Sequence, residues 1–320
     1  KWKIRVGKFV YANKKCVTLV IVKKGDKDMS VSEYFSMFCT NLRMSTDTVS
    51  RIQTRYHQIT KRINLDYWNS SSETAHSLYV GSYGRGTEIW TSDIDITVQL
   101  PYETYVKFNN YSQNGQSALL QEVKGVLQKT YSTSHIKGDG QVIGINFSDG
   151  INFEIVPAFL NKDGSYTYPD TNNGGSWKTT DPKKEIDAMN TRNNNTNKNL
   201  KRLCRMARAW KEKCNVPMSG ILIDTLAYKF INDWSYKDKS YLYYDFMSRD
   251  FFEYLKDLDE EQEYWLAPGS QRRVWKSDNF QSKANTAYNN ALTAISYESN
   301  NQTYSAKKKW RDIYGTKFPE

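Results

Sequence analysis

Two aspartates and one glutamate interrupt apolar runs in this sequence. Asp93 and Asp95 lie one residue apart in SDIDITVQL, and Glu154 lies in the same way inside NFEIV. Side chains alternate faces along a β-strand, so Asp93 and Asp95 share one face while the isoleucines beside them turn to the core. If the two strands pair, Glu154 can join the aspartates on that face. The spacing therefore predicts a rigid cluster of three carboxylates.

Such a cluster has a direct chemical use. Carboxylates held together without a cation raise one another's pKa values and destabilise the fold. Mg²⁺ prefers carboxylate oxygens and leaves room for substrate phosphates, so it is the natural compensation, with Mn²⁺ as a substitute. Three carboxylates suit two metal ions, an arrangement that activates an attacking hydroxyl and holds leaving phosphate oxygens. A solvated strand face is the alternative for Asp93 and Asp95 taken alone.

The segment GSYGRGT, residues 81–87, comes just before the aspartates and between two predicted strands. Its glycines let the backbone bend, and its N–H groups and hydroxyls could cradle phosphate oxygens. It lacks the GK[ST] ending of a Walker A loop and matches neither GxGxxG nor GxSxG. Without the carboxylates, a glycine-rich surface turn would be the better interpretation. Together, the two features indicate a metal-assisted site for a phosphate-bearing substrate.

The basic charge of the chain is concentrated at its N-terminus. Residues 1–28 hold nine Lys/Arg and two Asp, a net charge of +7, so the remaining 292 residues carry only about +3 of the total +10. We therefore expect no stable nucleic-acid partner. Because Met29 opens a helix-like segment, residues 1–28 are interpreted as an upstream extension or a misassigned start. A genuine N-terminal hairpin is the alternative, since KCVTLVIVKK has the pattern of a strand.

The pattern of the rest predicts an α+β protein with two lobes. A helical segment near residues 29–69 is broken at MSTDT, and strands and one amphipathic helix (115–131) follow. A turn-rich loop after Pro157 leads to Asp181-Pro182, an N-cap followed by proline. We place an α+β core at 29–170 and a helical lobe at 171–320. The helices predicted in that lobe are 184–190, 197–213, 219–234, 247–258 and 280–297.

Cysteine usage and hydropathy limit where the protein acts. The four cysteines are widely spaced and form no CxxC pair, which excludes the usual zinc-site spacings and gives little reason to expect disulfides. No run approaches the roughly 18 apolar residues of a membrane span. We therefore expect a cytoplasmic protein without a membrane partner.

The order of these motifs resembles a known superfamily. A strand, Gly-Ser with Gly-Thr shortly after, Asp-x-Asp on the next strand and a later carboxylate resemble the nucleotidyltransferases of DNA polymerase β type. More narrowly, GSYGRGT…SDIDI, FEIVPAF, LKRLCRMARAWK and MSGILIDTLAY are similar to the bacterial cyclic-oligonucleotide synthases (CD-NTases) of CBASS anti-phage systems, relatives of cyclic GMP-AMP synthase. The resemblance covers about residues 30–320. It implies a polymerase-β-like core with a long N-terminal spine helix, packed on an α-helical C-terminal lobe.

The resemblance also implies an activity and roles for particular residues. Such enzymes join NTPs into a cyclic di- or trinucleotide second messenger with release of pyrophosphate, and an effector protein that binds the product acts downstream. The expected metal ligands for two Mg²⁺ are Asp93, Asp95 and Glu154. The expected nucleotide-binding residues are Gly81, Ser82, Lys201 and Ser219. Lys201 belongs to a basic face of the predicted helix 197–213, and a solvated surface is the alternative interpretation of that face. The residues of the face are Lys198, Lys201, Arg205 and Arg208.

Three points stay open at this stage. Most relatives have aspartate where this chain has Glu154, so this residue could bind metal directly or act as the base for the acceptor hydroxyl. The aromatic segment YLYYDFMSRDFFEYL could stack a nucleobase or form a core stripe. A toxin-like transferase that modifies RNA or protein, and an inactive nucleotide-binding module, are the alternative functions. The near-neutral core argues against a large RNA substrate, and the intact carboxylate pair argues against an inactive module.

Overall fold

The computed structural model of the chain describes residues 3–11, 14–22, 29–90, 92–132 and 134–320, the first two ranges as backbone only. Strands β1 (Lys3–Tyr11) and β2 (Lys14–Val22) pair antiparallel, as the hairpin interpretation predicts. The other residues assigned to the basic extension, including 23–28, lie outside the described residues. Whether the segment is native stays an open prediction.

Two helices follow where one interrupted helical segment was predicted. Helix α1 spans Val31–Asn41 and α2 spans Thr46–Tyr67. The break occurs at Ser45, whose hydroxyl accepts a hydrogen bond of 3.1 Å from the Thr48 amide and so starts α2 with an N-cap. The backbone amide of Ser30 likewise donates to Glu33 at the start of α1. Local capping therefore explains both helix starts.

A mixed sheet carries the residues singled out above. The elements of this part are β3 (Ser77–Tyr79), α3 (Gly81–Arg85), β4 (Ile94–Gln99), α4 (Tyr102–Asn109), α5 (Gly115–Gln128), β5 (His135–Asp139), β6 (Val142–Asn146), β7 (Asn152–Leu160), β8 (Tyr166–Asp170) and β9 (Ser176–Thr180). In the main path the strand order is β3-β4-β7-β6-β5, and β4 and β7 are parallel; β8 pairs with β7 and with β9. Sequence alternation is confirmed on β4, because Ile94, Ile96 and Val98 are fully buried.

Two predictions for this region were wrong. The segment 81–87 is not an open loop, because its first five residues form the short helix α3. The turn-rich segment after Pro157 is not a loop either, because it folds as the hairpin β8–β9. The turn residues of this hairpin, including Gly175 with φ +95°, are confined to its tip. The aromatic and Thr residues on either side, which favour strands, form β8 and β9.

The C-terminal part is largely helical, as predicted. All five predicted helices are present with shifted ends, and the Asp181 side chain caps the first of them at the Lys184 amide (3.1 Å). The elements are α6 (Pro182–Asn194), α7 (Asn199–Cys214), α8 (Gly220–Asp233), α9 (Tyr244–Lys256), β10 (Tyr264–Leu266), β11 (Arg273–Trp275), α10 (Gln281–Ser299) and α11 (Thr303–Tyr314). Helix α11 and the short hairpin β10–β11 were not predicted.

Two hydrophobic clusters form the core. One contains the sheet, α2 and α5, and the other contains the C-terminal helices together with α1. The two N-terminal helices therefore pack in different clusters, as expected of a spine that runs along both lobes. The proposed boundary near residue 170 falls at the end of β8 and stays a prediction. No helix in the described part of the chain is long and apolar enough to cross a membrane.

Trp310 tests whether α11 is part of the C-terminal core. It is fully buried, and its ring meets Phe35 of α1 edge-on with a centroid distance of 5.2 Å. We expect Trp310→Ala to lower the free energy of unfolding by about 3–5 kcal/mol, because a large cavity replaces packed atoms. Tyr304→Ala on the same helix is the control, since Tyr304 is 78% exposed and should change stability little. Urea unfolding followed by circular dichroism measures both, and equal effects would contradict this packing.

Candidate functional site

The parallel pairing of β4 with β7 brings the acidic residues together. Asp95 lies opposite Glu154 in the strand register, and Gly144 lies opposite Glu154 on the other side. Asp93 comes one residue before β4 and is exposed. Its Oδ1 accepts a hydrogen bond of 3.2 Å from Asn152 Nδ2, on the residue two before Glu154. The predicted face therefore exists, with an amide beside it.

Asp95 and Glu154 interact strongly with each other. Burial raises the pKa of Asp95 to about 6, with the Glu154 carboxylate as the next cause, and the nearby Arg85 guanidinium only partly opposes the shift. The two carboxyl groups also share a hydrogen bond. A proton or a cation between them would relieve this repulsion.

A divalent cation fits these two residues by donor chemistry. Carboxylate oxygens are the ligands that Mg²⁺ prefers. Burial, and next the charge of Glu154, raise the pKa of Asp95, and a bound cation would oppose both effects by stabilising the charged form. Within the described ranges, however, no group of three or more His, Cys, Asp or Glu side chains is already arranged to hold an ion. Asp93 therefore does not complete a preformed three-ligand group with Asp95 and Glu154.

The glycine segment is in direct contact with this pair. The amide of Val80 donates to the Asp95 carbonyl (2.9 Å), which extends the β3–β4 ladder up to α3. Gly81 follows with φ +58°, and a Cβ built on it would lie 1.7 Å from Asp95 Oδ2. A side chain at this position would displace the carboxylate. Ser82 comes next, in the first turn of α3, and its carbonyl accepts a hydrogen bond from the Thr87 amide (2.9 Å).

A buried ionic network holds the other end of α3 against the helical lobe. Arg85 Nε and Arg208 donate to the same Asp224 oxygen at 2.9 and 2.8 Å, and Thr87 donates to it at 2.9 Å. Asp224 is fully buried on α8. Arg208 also donates to the Thr87 carbonyl (2.7 Å). The turn after α3 is thus tied to both α7 and α8.

Glu185 extends this network on α6. Its carboxylate is 97% buried and accepts hydrogen bonds from Arg85 (3.4 Å), Arg272 (2.7 Å) and Ser270 (2.9 Å). Burial alone would raise the pKa of Asp224, but the two arginines outweigh it and keep this pKa below its usual value. The pKa of Arg85 is raised because Asp224, then Glu185 and Asp95, outweigh the effect of burial.

The two predicted residues of the helical lobe make different contacts. Ser219 caps α8 by accepting from the Leu222 amide (3.3 Å), and the next residue, Gly220, accepts through its carbonyl from Arg208 Nη2 (3.1 Å). Lys201 lies in the first turn of α7, where its Nζ donates to Asn190 (2.6 Å). A Cβ on Gly86 would lie 2.8 Å from that Nζ. Lys201 therefore approaches the end of α3, whereas Arg208 contacts the start of α8.

Sequence reasoning missed several residues at this site. Arg85 stands inside the glycine motif, and Arg208 belongs to the basic face of α7 that the sequence shows. Asp224 in ILIDTLAY was the clearest available signal, because an acid within an apolar helix indicates a buried partner. Asn152 gave no signal, since its role depends on strand register.

Gly81→Ala tests the contact between the glycine segment and Asp95. We expect a loss of about 2–4 kcal/mol in the free energy of unfolding, from left-handed backbone strain and the clash with the carboxylate. Gly125→Ala in α5 is the control: nothing lies within 4 Å of its Cβ, and the change should stabilise the helix slightly. Asp95→Ala should relieve part of the Gly81→Ala loss in a double-mutant cycle; strictly additive effects would refute the contact.

Asp224→Ala tests the buried network. Because it leaves two buried arginines without their shared carboxylate, we expect a loss of about 3–5 kcal/mol in the free energy of unfolding. Asp139→Ala is the matched control, since the Asp139–Lys137 pair is exposed and should matter little. Chemical denaturation measures both variants. A mild effect of Asp224→Ala would mean that this network does not hold α3 to the helical lobe.

The chain was compared with known families and proteins. The profile of the Second Messenger Oligonucleotide or Dinucleotide Synthetase domain (SMODS) matches residues 29–193, just over half of the chain. A probable cyclic nucleotide synthase of Bacillus cereus (strain VD146) is 27% identical over 177 residues, which are 52% of this chain and 51% of that protein. The chain thus spans about half the length of the curated relative it matches.

Solved structures share the fold across most of the chain. CdnC of E. coli MS115-1, in complex with HORMA-deltaN, gives a TM-score of 0.68 at 14% identity and covers 90% of this chain and 98% of its own. CdnG of Bradyrhizobium diazoefficiens, a CD-NTase solved with GTP, gives 0.61 at 11% identity, covering 89% and 95%. DncV, the cyclic AMP-GMP synthase of Vibrio cholerae, gives 0.57 at 16% identity, covering 76% and 69%.

These likenesses confirm the predicted fold class, an α+β chain with a polymerase-β-like core. They also agree with the family that the motifs indicated before any comparison. Because the family profile covers more than half of the sequence, the chain belongs to the Second Messenger Oligonucleotide or Dinucleotide Synthetase family of nucleotidyltransferases.

Proposed function

We propose that this protein is a Mg²⁺-dependent synthase that joins NTPs into a cyclic di- or trinucleotide and releases pyrophosphate. One observation carries the proposal: Gly81 is pressed against Asp95, and Asp95 is paired with Glu154 on the neighbouring strand. A segment suited to phosphate thus lies against carboxylates suited to metal. Family membership and the match to a probable cyclic nucleotide synthase support this assignment.

The residues of the site have distinct roles in the proposed reaction. Asp95 and Glu154 would hold metal, with Asp93 as a further carboxylate that Asn152 orients. Bound Mg²⁺ would lower the pKa of the acceptor ribose hydroxyl and neutralise charge on the α-phosphate. Glu154 could also take the proton of that hydroxyl. Gly81 and Ser82 would approach the donor triphosphate through backbone N–H groups and a hydroxyl.

The helical lobe would bind the far end of the triphosphate. Ser219 caps a 14-residue helix, and the positive end of such a helix favours phosphate. Arg208 donates to the Gly220 carbonyl (3.1 Å) and so fixes the start of this helix, while it is ion-paired with the buried Asp224. Lys201, the residue that the sequence resemblance favours for this role, lies against Gly86 at the end of α3. We keep Lys201 and Ser219 as the proposed phosphate contacts and assign Arg208 a positioning role.

The wider setting is also a proposal. The product would act as a cytoplasmic signal in anti-phage defence, read by an effector protein that binds it. Three cysteines whose side chains the structure describes, Cys39, Cys204 and Cys214, are free, in agreement with a reducing compartment. Solved relatives with bound ATP or GTP support NTPs as substrates.

Asp95→Asn tests the metal assignment. It removes the charge but keeps the shape of the side chain, so we expect product formation to fall by at least roughly a hundredfold while the protein stays folded. Purified protein is incubated with labelled NTPs and Mg²⁺ or Mn²⁺, and phosphatase-resistant products are identified by mass spectrometry. Asp139→Asn, on an exposed residue of β5, should retain wild-type activity.

The same assay separates the alternative functions. Labelling of added RNA or protein, without a small cyclic product, would favour a toxin-like transferase. Absence of any product with all four NTPs, despite nucleotide binding, would favour an inactive module. Full activity of an Asp93→Ala, Asp95→Ala double variant would refute the metal assignment itself.

A further inference from the structure

A second cavity lies outside the carboxylate site. It measures about 310 Å³ and is formed by the end of α1, the start of α7 and Tyr241. Its lining includes none of Gly81, Ser82, Ser219 or the three acidic residues. Lys201 is the residue that it shares with the predicted nucleotide-binding set. The residues that line it are Cys39, Thr40, Arg43, Asn193, Lys198, Lys201, Arg202, Arg205 and Tyr241.

The charged residues that line this cavity are all basic. Five of its nine lining residues are Lys or Arg, and none is Asp or Glu. Of these five cations, only Arg205 forms an ion pair among the described residues, with Glu88 at 3.2 Å. Burial, and next the charge of Arg205, lower the pKa of Lys201. An uncompensated group of cations in a concave site favours an anion.

Backbone and aromatic groups add to this preference. Lys198 is the N-cap of α7, so the cavity lies at the N-terminus of a 16-residue helix, where the helix dipole favours negative charge. Arg202 stacks over Tyr241 with its Cζ 4.8 Å from the ring centroid. Tyr241 is the first residue of the aromatic segment YLYYDFMSRDFFEYL. Most other aromatic residues of that segment are buried in the core.

The cavity is connected to the segment that carries the aspartates. Arg205 donates to the carbonyls of Gly86 (2.7 Å) and Glu88 (3.0 Å). Gly86 ends α3, and Glu88 lies five residues before Asp93. An anion that draws Arg205 into the cavity would therefore change the restraint on residues 86–88.

We propose that this cavity is a second binding site for a small polyanion with several phosphate groups, and that its occupancy regulates the segment between α3 and Asp93. Of the residues proposed to bind the donor NTP, the lining includes Lys201 but not Gly81, Ser82 or Ser219, so the site lies beside that of the donor NTP and is not identical with it. The size of the cavity limits the ligand to a small molecule rather than a nucleic acid strand. The proposal goes beyond the synthase activity and does not require it.

Calorimetric titration of the full chain with sodium tripolyphosphate, in EDTA and without nucleotide, tests the site. An Arg43→Ala, Lys198→Ala double variant removes two rim cations and should bind more weakly by roughly tenfold for each cation lost. The control is Lys162→Ala, Lys283→Ala, which loses the same charge at two exposed positions outside the cavity and should bind as the wild type does. Equal affinity in all three proteins, or no binding at all, would overturn the proposal.

A second measurement distinguishes a separate polyanion from the triphosphate of the donor NTP. With Mg²⁺ and a saturating non-hydrolysable ATP analogue, tripolyphosphate should still bind to the wild type. Displacement of tripolyphosphate by the analogue would mean that the cavity belongs to the donor nucleotide and would overturn the proposal. Hydrogen exchange in residues 84–90 should change on tripolyphosphate binding in the wild type and not in the double variant. Unchanged exchange would overturn the regulatory coupling. None of these measurements depends on turnover, so failure of this proposal would not contradict the proposed synthase activity, and loss of the synthase proposal would not contradict this one.

Discussion

The buried carboxylate of Asp224 is the interaction on which the arrangement of the site depends. One of its oxygens accepts hydrogen bonds from Arg85 and Thr87 of the glycine segment and from Arg208 of α7. A charge buried this deeply is tolerable only when opposite charges and hydrogen bonds surround it. Because the carboxylate and the two guanidinium groups stabilise one another only in this arrangement, α3, α7 and α8 are fixed relative to one another.

This constraint reaches the acidic edge of the sheet through α3. Gly81 and Arg85 stand at the two ends of that five-residue helix. The first touches Asp95, and the second joins Asp224 and Glu185 while it still influences the charge of Asp95. The glycine segment is therefore a short helix held at both ends. Such preorganisation suits a site that must stabilise developing charge without rearrangement.

Positive charge serves two separate purposes on α7. Arg208 faces the buried network and Ser219, whereas Lys198, Lys201 and Arg202 face the cavity at the other end of the helix. Arg205 lies between them and binds the backbone of residues 86–88. A single basic helix therefore contributes to the buried network on one side and lines the cavity on another. The helical spacing of these cations separates the two faces.

Much of the fold was predictable from local signals. Alternation on β4, the break at MSTDT, the cap at Asp181 and the helical periodicity of the C-terminal part gave most elements, because these patterns depend on neighbours in the chain. Helix α11 was missed because it is recognised through Trp310, whose burial depends on α1. The glycine segment was taken as a loop, since glycine frequency favours turns, yet contacts with Asp95 and the helical lobe hold it as a helix.

The sequence by itself determined the residue types of the candidate site: the carboxylates, the glycine segment and the basic face of α7. It also determined the family, because motif order survives where overall identity is low. The tertiary structure alone decided which of these residues meet. Parallel register places Asp95 opposite Glu154, and the buried network places Arg208 against Gly220, the residue after Ser219. Pairings of this kind join residues that are distant in the chain, and no local propensity encodes them.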